Sequence, residues 1–387
     1  MKDPYDLIKF GLAHPDAWSE NYAIATVVHT EGHSYRRVGA RLLLKKGRKI
    51  FGTVSGGGLE ERIAADSDRI GPDLHARRID YDSRSASDLI WGTATAYDGF
   101  LSVLMQRWDA GINTLCRWID ERLSARRPVL LATVINKDDQ QLGRQIAVDA
   151  SGEIFSQVDS LPIQAAVKAR TADLLAESTA RTNRYSHRTC VAGRAELLLE
   201  YIPPPTSLVI IGAGDDALPL VEGAKRLGWN VTVIDHRPAY ADQQRLPLAD
   251  RVLLTQPDSY SDVLQPDPWT VSIVMTHNWR QDAAAVAALA QFDLPYVGII
   301  GNTTRTEKIL ATLAARNGSR SKAGASFYYP AGLDIGAHNP EEIALSVIAE
   351  IQAVLSGRQG ASLKHQERSQ AKSINVRFLK LAGADRR

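Results

Sequence analysis

Two cysteines in 387 residues, Cys116 and Cys190, are too few for a disulfide framework or a tetra-cysteine zinc site. Excess charge is lacking too. The 46 Lys and Arg nearly balance 44 Asp and Glu, and a net charge of +2 makes no case for a nucleic-acid or membrane partner. No apolar run reaches the ~18 residues of a spanning helix. The N-terminus, Met1-Lys-Asp-Pro-Tyr-Asp6, lacks the basic-then-apolar layout of a signal peptide. A cytoplasmic location is expected. The hydrophobic share of 44% is that of an ordinary globular protein, and the length allows two domains.

Residues 50–61 are the most informative run that is present. A β-type segment, Ile50 to Val54, enters Ser55-Gly56-Gly57-Gly58, and a helical pattern follows at Leu59-Glu-Glu-Arg-Ile63. Glycines let the backbone approach a ligand, and a helix start presents unpaired N–H groups with a positive dipole end. Strand, glycine loop and helix start make an anion cradle. The alternative is a tight β-to-α turn that binds nothing. Arg41 and the Glu31–Arg37 loop would suit a phosphate beside this cradle. Plain surface charge is the competing reading for each arginine.

The first half carries a degenerate repeat. Ala25-Thr-Val-Val28 returns as Ala132-Thr-Val-Ile135, Gly39-Ala-Arg41 as Leu142-Gly-Arg144, and Gly47-Arg-Lys-Ile-Phe51 as Gly152-Glu-Ile-Phe155. Tyr81-Asp-Ser-Arg84 and Gly99-Phe-Leu are echoed at Tyr185 and Gly193 in the same order. Two similar α/β lobes are expected, with the glycine cradle in the first alone. Leu115, Ile119 and Leu123 lie at helical spacing, with Cys116 beside them as a core thiol.

Pro203-Pro-Pro205 marks a boundary. Beyond it, the strand Leu208–Ile211, Gly212-Ala-Gly214-Asp-Asp-Ala217, a helix, and the strand Val231–Asp235 form a dinucleotide fingerprint. Gly212 and Gly214 would admit a pyrophosphate, and Asp235 would hold a ribose hydroxyl. Asp215 and Asp216 complicate this, since like charges about 5 Å apart repel by roughly 1–3 kcal/mol. Either they serve the helix cap, or the site needs a cation, or its nucleotide is weakly held or lost. Strands over Val271–Thr276 and Tyr296–Ile300, with an Ala-rich helix over 280–291 between them, extend a parallel doubly wound sheet. Its crevice would take His277 as an acid/base with Asp282 orienting it, and Asp334 from a glycine loop. Asn339-Pro-Glu-Glu342 reads as a helix cap. The tail from Gly357 is expected to be mostly flexible, with Ile374–Leu381 as a docking segment.

Together these motifs resemble the XdhC/CoxI family of molybdenum-enzyme accessory factors. The N-terminal signature is Ala25-Thr-Val, Gly39-Ala-Arg41 and Gly52-Thr-Val-Ser-Gly-Gly-x-Leu-Glu60. The C-terminal one is Gly212-Ala-Gly214, Asp235-x-Arg237-Pro, Thr276-His277, Gly298-Ile-Ile-Gly301 and Gly332-Leu-Asp334-Ile-Gly336-Ala-x-x-Pro340 to Ser346. The resemblance implies a cytoplasmic, often dimeric protein that binds molybdenum cofactor, takes part in its sulfuration with a sulfurtransferase, and helps insert it into a molybdenum hydroxylase apoenzyme. It also implies an NAD(P)-type second half. Three positions depart from the family's usual residues: Gly58 and the Ala94–Gly99 stretch stand where cysteines are common, and Asp215 where His is common.

The expected organisation is therefore an N-terminal domain over 1–204, a Rossmann-type domain over 205–356 and a tail over 357–387. The expected function is a cofactor-binding chaperone for a xanthine-dehydrogenase-type hydroxylase, with no metal ligands of its own. The rivals are an NAD(P)-dependent oxidoreductase using His277, and a partner-binding module with a vestigial nucleotide site.

Overall fold

The computed structural model describes residues 3–32, 36–55, 58–68, 70, 74–82, 99–137, 139–178, 186–192, 194–317 and 326–362. The tail segment Ile374–Leu381 and the Ala94–Tyr97 stretch lie outside them. The chain divides between Pro203 and Pro204 into two compact units.

The first unit runs helix, three strands, helix, two strands, and then repeats that series. The first pass is α1 (Asp3–Ala13), β1 (Tyr22–Gly32), β2 (Arg41–Lys45), β3 (Arg48–Gly52), α2 (Gly58–Ser67), β4 (Ala76–Asp82) and β5 (Gly99–Arg107). The second is α3 (Ala110–Ser124), β6 (Val129–Val134), β7 (Gln145–Asp149), β8 (Ile154–Ser156), α4 (Leu161–Ser178), β9 (Ser186–Ala192) and β10 (Ala195–Ile202). The two sheets have the same order, β3-β2-β1-β5-β4 and β8-β7-β6-β10-β9. The echoes Ala25–Val28 with Ala132–Ile135, Gly39 with Gly143 and Phe51 with Phe155 fall on equivalent places. Arg41, by contrast, matches Gln145 rather than Arg144, and Tyr81 matches Ala192, while Tyr185 and Gly193 lie outside the described residues. Gly39, at φ +88°, donates its N–H to the Val27 carbonyl while Val27 N–H donates to the Ala40 carbonyl, and Gly143, at φ +81°, donates to Val134 while Val134 donates to Arg144 in the same way. A glycine suits both, because a side chain in this left-handed region is strained.

The lobes pack on one another through defined bonds. Gln106 donates to the Gly143 carbonyl at 2.7 Å, and Arg78 to the Ile135 carbonyl at 2.9 Å. Leu142 and Leu198 of the second lobe join the core that holds Val27, Leu42 and Val103 of the first. Cys116 is buried in α3 against Gly11 of α1, as a core thiol should be. Burial pushes its pKa up to about 12, so it is not a nucleophile at neutral pH.

The second unit is an all-parallel sheet in the order β13-β12-β11-β14-β15-β16, with strands Arg251–Leu254, Asn230–Asp235, Ser207–Ile211, Thr270–Val274, Val297–Ile299 and Phe327–Tyr328. Successive residues of β11 alternate between two cores. Leu208 and Ile210 meet α5 (Ala217–Arg226) and α9 (Pro340–Leu355) on one face. Ile211 and Val209 meet the one-turn α6 (Tyr260–Val263), α7 (Trp279–Leu289) and α8 (Thr303–Asn317) on the other. Period-2 strands with both faces apolar are what a doubly wound sheet demands. Asn339 caps α9 by accepting from Glu342 N–H at 2.9 Å.

Candidate functional site

The glycine loop of the first lobe sits between β3 and α2, as its sequence predicts. Gly56 and Gly57 lie outside the described residues. Ser55 is 3% exposed, and its Oγ has no hydrogen-bond partner among the described residues. An unmade bond on a buried hydroxyl costs ~1–3 kcal/mol. At Gly58 an added Cβ would meet nothing within 4 Å, so the start of α2 opens on clear space. Glu60, on the first turn of α2, folds back over the loop. Its Oε1 accepts from Val54 N–H at 3.0 Å, from Ser55 N–H at 3.3 Å and from the Thr53 hydroxyl, while Oε2 accepts from Lys49 at 2.8 Å. Burial raises the pKa of this carboxyl, but the bonds from Lys49, Thr53 and the two amides outweigh that and hold it below the ordinary range. A protein carboxylate thus already occupies two loop donors. Among the described residues the Ser55 hydroxyl has no partner, and a helix start such as that of α2 leaves its first N–H groups without intrahelical partners.

Among the described residues Arg41 is paired with the second lobe, not with the Ser55 loop where the sequence expectation put it. It is 7% exposed on β2, and its Nη2 donates at 2.5 Å to Oε2 of Glu200, which is 0% exposed. Opposite charges out of water hold each other tightly, so Arg41 fastens the first lobe to β10 of the second. The surface-charge reading fails for the same reason. Arg36 pairs with Asp3. His33, Ser34 and Tyr35 lie outside the described residues.

In the second unit, Gly212 has φ +115°, and a Cβ there would meet the Met275 carbonyl oxygen at 2.5 Å. The glycine admits the end of β14. A Cβ on Gly214 would meet Asp216 Oδ1 at 2.5 Å, so the Asp216 carboxylate lies over the loop. Asp216 makes no side-chain bond to the α5 N-terminus, and the capping explanation does not hold for it. It binds His277 instead, with Nε2 2.6 Å from Oδ2. This hydrogen bond raises the His277 pKa above its ordinary value. Asp215 accepts from Arg245 Nη2 at 2.5 Å. Each acid of the expected repulsive pair therefore has its own partner, Arg245 for Asp215 and the His277 imidazole for Asp216.

Asp282 is not the partner of His277. Its carboxylate is fully buried beneath the crevice, accepting from the Thr276 hydroxyl and amide and lying 2.7 Å from Arg305 Nη2. Asp235, 2% exposed, closes on its own neighbours rather than on open crevice. Oδ1 accepts from Arg237 N–H and Nε at 2.9 Å each; Oδ2 accepts from Ala213 N–H and Arg237 Nη2 at 2.8 Å each. Burial raises its pKa, and these bonds outweigh that to bring it to about 2. Asp334 is exposed in the loop before α9, and no bond among the described residues ties it to the His277–Asp216 pair.

A parallel six-stranded sheet of order 3-2-1-4-5-6, with a glycine loop at its switch point, defines a Rossmann-type unit. Residues 208–351 match the XdhC Rossmann domain, and residues 17–82 and 122–186 match the XdhC and CoxI family. A Bacillus subtilis (strain 168) protein, named as a probable xanthine dehydrogenase subunit, is 30% identical over 332 residues, covering 86% of this chain and 92% of that protein. The chain belongs to the XdhC and CoxI family. An uncharacterised Escherichia coli protein, YqeB, is 27% identical over 154 residues, 40% of this chain and 28% of that one. A solved Bacillus halodurans structure described as a xanthine dehydrogenase shares the fold, with TM-score 0.73, 24% identity, and coverage of 92% of this chain and 98% of that one.

Sequence reasoning missed Glu60 as the partner of the loop, Glu200 as that of Arg41, Asp216 as that of His277 and Arg245 as that of Asp215. For Glu60 a signal existed, because an acid two residues into a helix often reaches back to the preceding loop. For Glu200 there was none, since 159 residues separate it from Arg41.

Proposed function

We propose that this protein binds molybdenum cofactor and serves as an accessory factor in maturing a xanthine-dehydrogenase-type molybdenum hydroxylase. Family membership and the Bacillus subtilis relative support a xanthine dehydrogenase-associated role. The observation that carries the finer reading is Ser55: a buried hydroxyl without a partner among the described residues, at the mouth of a glycine loop and a helix N-terminus. Those donors fit the cofactor's anionic phosphate end. They do not supply a ligand for its metal, because Gly58 carries no side chain and Cys116 is a protonated core thiol in α3. The chemistry of the bound cofactor is its own. This chain's part is to hold the phosphate with the Ser55 hydroxyl and the leading amides of α2, while Glu60 fixes the loop through Thr53, Val54 and Ser55. A cytoplasmic homodimer that meets a sulfurtransferase and the client apoenzyme completes the proposal.

Calorimetry with molybdopterin on the full chain and on Ser55→Ala tests it. A hydrogen bond to a charged group is worth ~1.5–3 kcal/mol, so the variant should bind about 10- to 150-fold more weakly. Equal affinities would remove the reading's main support.

A second reading is favoured by the half-exposed His277–Asp216 pair at the switch point: NAD(P)-dependent oxidoreduction with His277 as acid/base. Steady turnover of NAD(P)H that is lost in His277→Gln would favour it over the chaperone.

A further inference from the structure

We propose that the nucleotide crevice of the second unit recognises a phosphorylated ribose rather than a bare diol, with Arg237 and Arg245 as the residues that set this choice. It rests on the dinucleotide reading of the glycine loop and is independent of the Ser55 cradle.

In the fingerprint, an acid at the end of the second strand accepts from the ribose hydroxyls, and here that acid is Asp235. A carboxylate offers about four lone-pair positions. All four are taken in Asp235, two by Arg237 side-chain nitrogens, one by the Arg237 amide and one by the Ala213 amide. His236 Nδ1 lies 3.2 Å from Oδ1 and crowds the same oxygen. A diol would have to displace guanidinium and amide bonds from Asp235, a side chain that is 2% exposed. Asp235 is thus a brace for Arg237, and the fingerprint's usual sugar contact is closed.

What the brace presents is a fixed cation. The Arg237 guanidinium also stacks on the Tyr240 ring, 3.7 Å from its centroid, so its plane is held on two sides. Nε and one N–H of Nη2 face Asp235, and the Nη1 edge has no partner among the described residues. Arg245 brings a second guanidinium to 4.6 Å from the same ring centroid and donates to the Ala213 carbonyl at 3.3 Å. The ring, both arginines and Ala213 of the glycine loop therefore form one cluster at the end of β12. Planar forks held on an aromatic face match phosphate oxygens in charge and geometry, and pair with that anion more strongly than with a neutral diol. The carboxylate facing Arg245 belongs to Asp215, which is 87% exposed and so well screened by solvent. Arginine beside this strand end is the arrangement that receives a 2′-phosphate.

The test is calorimetry on the full chain with adenosine 2′,5′-bisphosphate against 5′-AMP, and NADP⁺ against NAD⁺. The phosphorylated member of each pair should bind at least about 10-fold tighter, with the preference shrinking as salt is added. Arg237→Gln should erase the preference. Because that change also uncovers Asp235, Arg245→Gln is the companion variant; it leaves every Asp235 partner in place and should reduce the preference. Equal affinities, tighter binding of NAD⁺, binding of neither nucleotide, or a preference intact in both folded variants would each overturn the proposal. None of these outcomes bears on molybdopterin binding at Ser55.

Discussion

Arg41 donates to Glu200 where both are almost wholly out of solvent. Breaking a buried ion pair strands the remaining charge and costs about 3–5 kcal/mol, whereas replacing both partners by apolar groups is often near neutral. Arg41→Met should lower the urea midpoint of the first unit sharply, and Arg41→Met with Glu200→Met should restore most of it. A stable Arg41→Met protein that had only lost cofactor affinity would return Arg41 to the cradle. His277 makes a second residue-scale prediction. Its pKa is raised by Asp216 above the ordinary 6.5. The pair's contribution is therefore fully present below about pH 6.5 and fades as pH climbs through the raised native value. Titration of the imidazole by NMR should show that elevated midpoint, and Asp216→Asn should bring it down. An unchanged midpoint in the variant would mean that Asp216 is not what holds the charge.

Among elements, the glycine loop and its helix were legible before the structure, because strand, glycines and amphipathic helix follow one another within twelve residues. So were the βαβ units of the second half, whose apolar runs and glycine turns are local signals. The repeat was legible through Ala25–Val28 and Ala132–Ile135, and both runs form the central strands of their sheets. What could not be read was pairing at long range. In the shared topology Arg41 and Gln145 occupy equivalent positions opposite Thr26 and Thr133. Glu200 and Gln106 are equivalent in the same way, opposite Leu131 and Ile24. One position of the repeat thus holds a buried charge pair and its counterpart two amides, a difference that only the folded lobes explain. Nor could the sequence show that Asp235 closes on Arg237 rather than on a sugar. The elements also predict unequal glycines. Gly143→Val places a β-branched residue at φ +81° with its Cβ 2.6 Å from that of Ala76, and should cost roughly 2–5 kcal/mol. Gly58→Cys meets clear space at the first turn of α2 and should leave the melting temperature within a few degrees of the parent. Its thiol should titrate below the ordinary ~8.5, drawn down by the helix N-terminus. The pH dependence of its alkylation rate measures this, and a midpoint at or above the ordinary value would deny α2 the positive end that the cradle requires.

At the scale of the whole molecule, each unit owns its cores. The second unit buries Leu208, Val231 and Val271 on one face of its sheet and Ile211, Val274 and Val286 on the other. Residues 204–362 expressed alone should therefore unfold in a single cooperative thermal transition followed by near-UV circular dichroism; a broad, non-cooperative loss of signal would show that this unit needs the rest of the chain. Among the described residues no helix is long and apolar enough to cross a membrane. The role proposed for the first unit is to carry molybdenum cofactor by its phosphate end at Ser55. Native mass spectrometry of the full chain, purified gently from its own host, puts that role to the test most directly. A population heavier than the polypeptide by the mass of the cofactor is expected, and it should disappear in folded Ser55→Ala. Polypeptide mass alone in the parent, or a cofactor population undiminished in Ser55→Ala, would contradict it.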